Sequence, residues 1–193
     1  MRLDDKLKKL ERIYQEFETK AADYVRRAVC GPGCAECCTN VGEIAVTTLE
    51  AYRIWLFLQG LSVFQRQAMA KKIEANREEK RRTLLLPCPF LDPHRMCSIY
   101  DVRPFSCRRL YSVEPCARRG PVVHKNLWQL AEETTLAIQK LDETGYAGHL
   151  SAVLALLDDP CFRDDYLNGR FRPDLLMERL RLDDLMINRA VGR

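Results

Sequence analysis

Four cysteines fall within nine residues, Cys30-Gly-Pro-Gly-Cys34-Ala-Glu-Cys37-Cys38, and four more follow at Cys88, Cys97, Cys107 and Cys116. The second group lies in residues 84–121, where prolines at 87, 89, 93, 104, 115 and 121 exclude long helices. An irregular stretch of that length does not persist in a compact domain unless something holds it. A centre ligated from both segments would hold it and pin one segment onto the other. The first expectation is therefore a metal or iron–sulfur centre as the organising element.

The reading of the thiols depends on compartment. The amino terminus, MRLDDKLKKLER, is charged and lacks the apolar stretch and cleavage site of a secretory signal. The longest apolar runs fall far short of the roughly 20 residues of a membrane span. A cytoplasmic protein without a membrane partner is expected, and in reducing cytosol clustered cysteines bind metal or do redox work rather than form disulfides. Cys161, remote from both groups, is expected to be a small buried apolar residue. The net charge of +4 is mild. Basic residues are scattered without an aromatic stacking platform, so nucleic acid is not an expected partner.

The 193 residues suit one domain. Leu3, Leu7, Leu10, Tyr14, Phe17, Ala21, Tyr24 and Ala28 share one helical face, which predicts an amphipathic helix lying on its own domain. It is expected to run to Gly31-Pro32-Gly33, with Cys30 at its end. Residues 41–46 read as a short extended piece. Thr47 and Glu50 form a capping-box signature for a buried helix over 51–59, and Ser62 with Gln65 repeats it for a helix reaching about Arg82. The charged second half of that helix, with pairs such as Glu78 and Arg82, reads as a solvated face. Residues 84–121 read as an irregular loop region with at most a small hairpin around Asp92-Pro93-His94-Arg95. Helical periodicity returns over 127–141 and 146–157, and residues 174–189 read as one or two short helices. The fold class is thus mostly α: a single helical domain, 1–193, with a cysteine-rich core at 30–116 flanked by helical segments 1–29 and 122–193.

Cys34-x2-Cys37 is a common metal-knuckle spacing, and Cys30 can join from the preceding turn. The neighbours Cys37 and Cys38 are expected to point their side chains apart and to serve different metal atoms of one centre, which favours a multinuclear site or two adjacent ones. Arg103, Arg108, Arg109 and Lys125 lie close in sequence to the second group and would offset thiolate charge, or raise thiol reactivity if no metal were bound. His94 reads as a surface turn residue, and His124 and His149 have no ligand-like neighbours. The adjacent acidic pairs Asp158-Asp159, Asp164-Asp165 and Asp183-Asp184 read as helix caps or solvated turns.

The ordered set Cys30-x3-Cys34-x2-Cys37-Cys38, Cys88-Pro89-Phe90-Leu91, Cys97-Ser98-Ile99-Tyr100, Arg103-Pro104 and Cys107-Arg108 resembles the YkgJ-like cysteine-cluster (CxxCxxCC) family, described as zinc- or iron-chelating. The resemblance covers residues 30–108. It implies a zinc, iron or iron–sulfur centre held by Cys30, Cys34, Cys37, Cys38, Cys88, Cys97 and Cys107, or a subset of them, with Cys116 as an extra ligand. A related cluster occurs in flagellin lysine methylases, which look like iron–sulfur proteins using S-adenosylmethionine; the present chain shows no glycine-rich loop assignable to that cofactor.

Three functions compete. The first is a metal-binding protein with a chelating or accessory role. The second is an iron–sulfur enzyme or electron carrier acting on a protein partner, and the third is a thiol redox sensor. No general acid–base pair is evident, so the sequence does not decide whether the chain is an enzyme.

Overall fold

A computed structural model describes residues 1–31, 33–40, 42–116 and 120–188. The fold is mostly α. Helix α1 (Leu3–Arg26) carries Leu10, Tyr14, Phe17 and Ala21 as its buried stripe, as the periodicity predicts, and lays it against a later helix of the same chain. It ends earlier than expected. The Val29 amide donates to the Ser112 carbonyl (2.8 Å), so the chain leaves the helical path and Cys30 sits in the turn beyond. Pro32 lies outside the described residues.

A one-turn helix α2 (Glu36–Thr39) carries Cys37 and Cys38. Strand β1 (Ala45–Thr47) follows; Val41, the start of the expected extended piece, is outside the described residues. Both capping boxes form: Thr47 with Glu50 opens α3 (Thr48–Gln59), and Ser62 with Gln65 opens α4 (Val63–Lys80). In each, the hydroxyl accepts the N3 amide while the N3 side chain accepts the cap amide, satisfying helix-end donors that otherwise have no partner.

Helix α4 buries Ile73, and its charged half is not merely solvated. Arg77 and Arg81 both donate to Asp183, whose side chain is almost wholly buried, while Glu74 and Glu78 pair with them at i,i+3 spacing. The expected Glu78–Arg82 pair therefore gives way to Glu78–Arg81, and Asp183 sits in a turn at a helix end, as read, but as a buried anchor rather than a solvated residue.

The cysteine-rich stretch contains a small hairpin, with Leu91 bridged to Cys97 and the turn at Asp92–Arg95 closed by the Asp92 amide on the Met96 carbonyl. A 3-10 turn (Tyr100–Val102) and the one-turn helix α5 (Phe105–Arg108) follow. Helix α6 (Lys125–Leu141) is capped by His124, whose Nδ1 accepts the Asn126 amide, and it is the helix along which α1 lies.

The expected helix over 146–157 is a strand and a helix. Strand β2 (Tyr146–His149) pairs antiparallel with β1, Val46 opposite Gly148, before α7 (Leu150–Asp158) begins. Gly148 lets Leu185 pack closely over the strand, since a Cβ there would lie 2.4 Å from the end of the Leu185 side chain. Helix α8 (Pro160–Leu167) is capped by Asp159. The tail forms a 3-10 turn (Pro173–Leu176), helix α9 (Met177–Leu182) and strand β3 (Met186–Ile187), which completes the sheet in the order β1-β2-β3. Arg189 lies outside the described residues.

Two apolar clusters flank α3. Ile54 and Leu58 join α4, α7 and α8 on one side, and Leu49 joins α1, α6 and Phe105 on the other. Cys88, Cys97 and Cys107 pack against the rim of the first cluster. Cys161 is exposed, contrary to expectation, because it occupies the outward face of the first turn of α8.

Asp142, after α6, is fully buried and accepts from the Leu49 amide (2.9 Å) and the Tyr166 hydroxyl (2.8 Å), with the Asn188 amide group at 3.2 Å. Lys6 is 3.9 Å away, and Gly145 must lack a Cβ because one would fall 2.2 Å from the carboxylate. Burial raises its pKa to about 7, with Glu50 pushing the same way and Tyr166, Leu49 and Lys6 opposing. An acid whose folded pKa exceeds its unfolded value binds a proton on folding between those two pH values, so its stability contribution is present at low pH and declines as pH rises from about 4 to 7. Denaturation of Asp142→Asn across this range is expected to show a flatter pH dependence than the parent, which should fall by up to about 1.4 kcal/mol per pH unit from this group. Parallel profiles would refute the assignment.

Candidate metal centre

Buried apolar residues set the positions of the cysteines. Ala35 stands two residues before Cys37, Phe90 two after Cys88, Ile99 two after Cys97 and Phe105 two before Cys107, and each of these anchors is at most 3% exposed. Embedding Phe90 and Ile99 in the first cluster and Phe105 between Tyr14 and Phe17 (ring centroids 6.1 and 4.7 Å) presents three thiols from an otherwise irregular stretch. The α2 turn is tied to this stretch by the Cys88 amide, which donates to the Cys38 carbonyl at 2.8 Å.

The two remote segments therefore meet. Cys37 interacts with Cys38 and lies near enough to Cys88, Cys97 and Cys107 to help raise their pKa values. The Cys37 and Cys38 side chains interact across the single turn of α2 that carries both. This contact, followed by burial, raises the Cys37 pKa strongly. Burial pushes Cys88 up to about 11 and raises Cys107 and Cys97 as well, the neighbouring thiols adding to the shift.

A second group is more exposed. Cys30 accepts the Ser112 amide at 3.3 Å and interacts with Cys34, Cys116 and, more distantly, Cys37. Ser112 is itself fully buried, and its hydroxyl links Glu114 and Val122, so Cys30 is seated against an ordered loop. The Cys34 amide closes a turn onto the Gly31 carbonyl, in which Gly33 takes φ +80°, a left-handed conformation that favours glycine. Residues 117–119, beside Cys116, lie outside the described set.

The donor set suits a soft or borderline cation. Crowded, desolvated thiols resist ionisation when alone, and a cation that shares their charge removes that resistance. The backbone amides near Cys88 and Cys97 lower the pKa of those thiols and so oppose the effect of burial, a setting that favours negative sulfur. All nine cysteines are free thiols, and among the described residues no three Cys, His, Asp or Glu side chains are grouped closely enough to hold a metal ion as they stand. His94 is exposed in its turn. His149 caps α7, its Nδ1 2.8 Å from the Ser151 hydroxyl, and burial lowers its pKa to about 4, so it is neutral at physiological pH.

The candidate counter-charges separate. Arg108 is held by Glu18 (2.6 Å) and by the carbonyls of Arg103 and Asp101, over the Tyr14 ring. Arg109 pairs with Glu132 and lies over Trp128. Arg103 is the one whose charge lowers the pKa of both Cys37 and Cys97.

Sequence reasoning missed three buried carboxylates, Asp142, Asp183 and Glu50. Glu50 was read only as a helix cap, yet it also accepts the Tyr14 hydroxyl (2.8 Å) and the Phe105 amide (2.7 Å). Its place on a helix apolar nearly all round was the available signal. No helix among the described residues is long and apolar enough to cross a membrane.

No curated protein and no solved structure matches the chain. A family model does match, over residues 29–130, more than half of the 193, and it spans both cysteine groups. The chain belongs to the CxxCxxCC family, whose description is "Putative zinc- or iron-chelating domain".

Proposed function

We propose that this protein binds zinc or iron through an inner group, Cys37, Cys38, Cys88, Cys97 and Cys107, and an outer group, Cys30, Cys34 and Cys116, in a chelating or accessory role. The observation that carries this reading is the meeting of the α2 thiols with those of residues 88–107, brought about by apolar anchors and the Cys88–Cys38 backbone bond. Thiolates without carboxylate or imidazole suit zinc and iron–sulfur chemistry rather than magnesium or calcium. Eight sulfurs exceed the four that one tetrahedral ion takes, so the centre holds more than one metal atom, with Cys37 placed between the groups. Ligation asks the thiols to deprotonate and to turn about their χ1 bonds toward the shared ion.

Elemental analysis and an absorption spectrum of protein purified without oxygen test this directly. About two atoms of zinc or iron per chain are expected, falling to one or none in Cys37→Ser. Protein carrying neither metal, and unable to take up either when reduced, would overturn the proposal. A brown protein with visible absorption would favour the iron–sulfur electron carrier over the zinc chelator, because the ligands serve both and the colour does not.

A further inference from the structure

Thiolates gathered in one place need positive charge nearby, and this chain supplies it unevenly. Arg108 and Arg109 are each committed to a carboxylate. Arg103 follows the 3-10 turn, its carbonyl is fixed by Arg108 Nε at 3.0 Å, and its guanidinium carbon sits 4.0 Å above the Tyr100 ring. Its Nε is buried and has no hydrogen-bond partner among the described residues; the Nε of Arg109 shares that condition, but the Arg109 charge is paired with Glu132, whereas no carboxylate pairs with Arg103 among the described residues. A buried donor without an acceptor costs free energy, about 1–3 kcal/mol for an ordinary group, and marks a place where an acceptor belongs.

We propose that Arg103 is the positioning residue of the cysteine centre: clamped over Tyr100, it presents a fixed charge and its unpaired Nε–H to metal-bound sulfur of Cys37 or Cys97. This rests on the metal-binding reading above. Neutral thiols are poor acceptors, so the donor stands unused in the free protein; a thiolate is a strong one. The geometry is preset by residues that are not ligands, since Tyr100 stacks one face of the guanidinium and Arg108 holds the backbone behind it. The electrostatic influence of Arg103 on Cys37 and Cys97 accords with that placement.

The test is an anaerobic titration of the metal-free, full-length protein with Co(II), following the sulfur-to-cobalt charge-transfer band. Arg103→Gln is expected to weaken Co(II) binding about tenfold or more and to shift the band, because a lost donor changes the electron density on sulfur. Arg103→Lys keeps the charge but not the planar, stacked donor, and is expected to fall between. Arg109→Gln is expected to match the parent. Arg103→Gln binding within about twofold of the parent with an unmoved band, or Arg109→Gln falling equally far, overturns the assignment. If Arg103→Gln does not fold, Tyr100→Leu decides, since Tyr100 is 58% exposed and removing its ring takes away the clamp alone: at least a threefold loss supports the role and an unchanged titration refutes it. A parent protein that binds no Co(II), zinc or iron would instead refute the metal reading on which the inference stands.

Discussion

Replacing Glu50 with alanine is expected to cost about 4 kcal/mol of stability, among the largest effects of any single substitution in this chain. The Glu50 carboxylate is 4% exposed and gathers donors from three separate elements. Oε1 accepts the Tyr14 hydroxyl from α1 and the Phe105 amide that opens α5, and Oε2 accepts the Thr47 amide and hydroxyl. The guanidinium carbons of Arg53 and Arg108 lie 5.5 and 4.7 Å from the centroid of the Tyr14 ring, which holds in place the hydroxyl that donates to Glu50. Removing the carboxylate leaves the Tyr14 hydroxyl and two buried amides with no partner, and each such orphan costs about 1–3 kcal/mol. Glu50→Gln keeps the shape but turns one acceptor into a donor facing donors, and about half the loss is expected. Urea denaturation measures both. A loss below about 1 kcal/mol for the alanine variant would show that the donors find other partners. Because Phe105 begins the turn that bears Cys107, the same variant should also bind metal more weakly.

Local signals in the sequence were legible where they are complete in a few residues. Thr47 with Glu50 and Ser62 with Gln65 contain both halves of a reciprocal cap, and both caps form. The stripe from Leu10 to Ala21 contains its own period, and it is buried as read. What escaped depends on partners far along the chain. Residues 146–149 have helix-compatible composition, but pairing with the backbone of β1 makes them a strand, and that partner lies outside any local window. The end of α1 is likewise set by Ser112, which is more than eighty residues away.

The site follows the same division. That the two cysteine-bearing segments meet was readable from their clustering, and the stretch 84–116 is irregular as its prolines demand. The partition into inner and outer thiols was not readable, because it rests on how deeply each segment is anchored. Ala35, Phe90, Ile99 and Phe105 are buried beside the inner cysteines, whereas Val29 beside Cys30 is 52% exposed. Nor did spacing reveal that Asp183 consumes the charge of Arg77 and Arg81, which turned a basic face into a packing strut.

Stripping the metal is expected to loosen the cysteine region while leaving the helical body in place. In metal-free protein burial keeps the Cys88 and Cys97 thiols neutral, so they attract neighbouring donors and one another little. The hairpin then relies on the Asp92–Met96 and Ser98–Phe90 backbone bonds and on its apolar anchors. The helices keep their own ladders and the two apolar clusters, and the Glu50 hub still ties α1 to α3. Hydrogen exchange should therefore show the amides of Cys88, Ser98 and Val102 exchanging at least about 100-fold faster after chelation, equivalent to roughly 3 kcal/mol of lost local stability. Amides in α3 and α7 should change far less. Equal protection of Cys88 and Ser98 with and without metal would mean that the anchors alone hold the stretch, and the thiols would then be passengers on a preformed loop rather than its organising element.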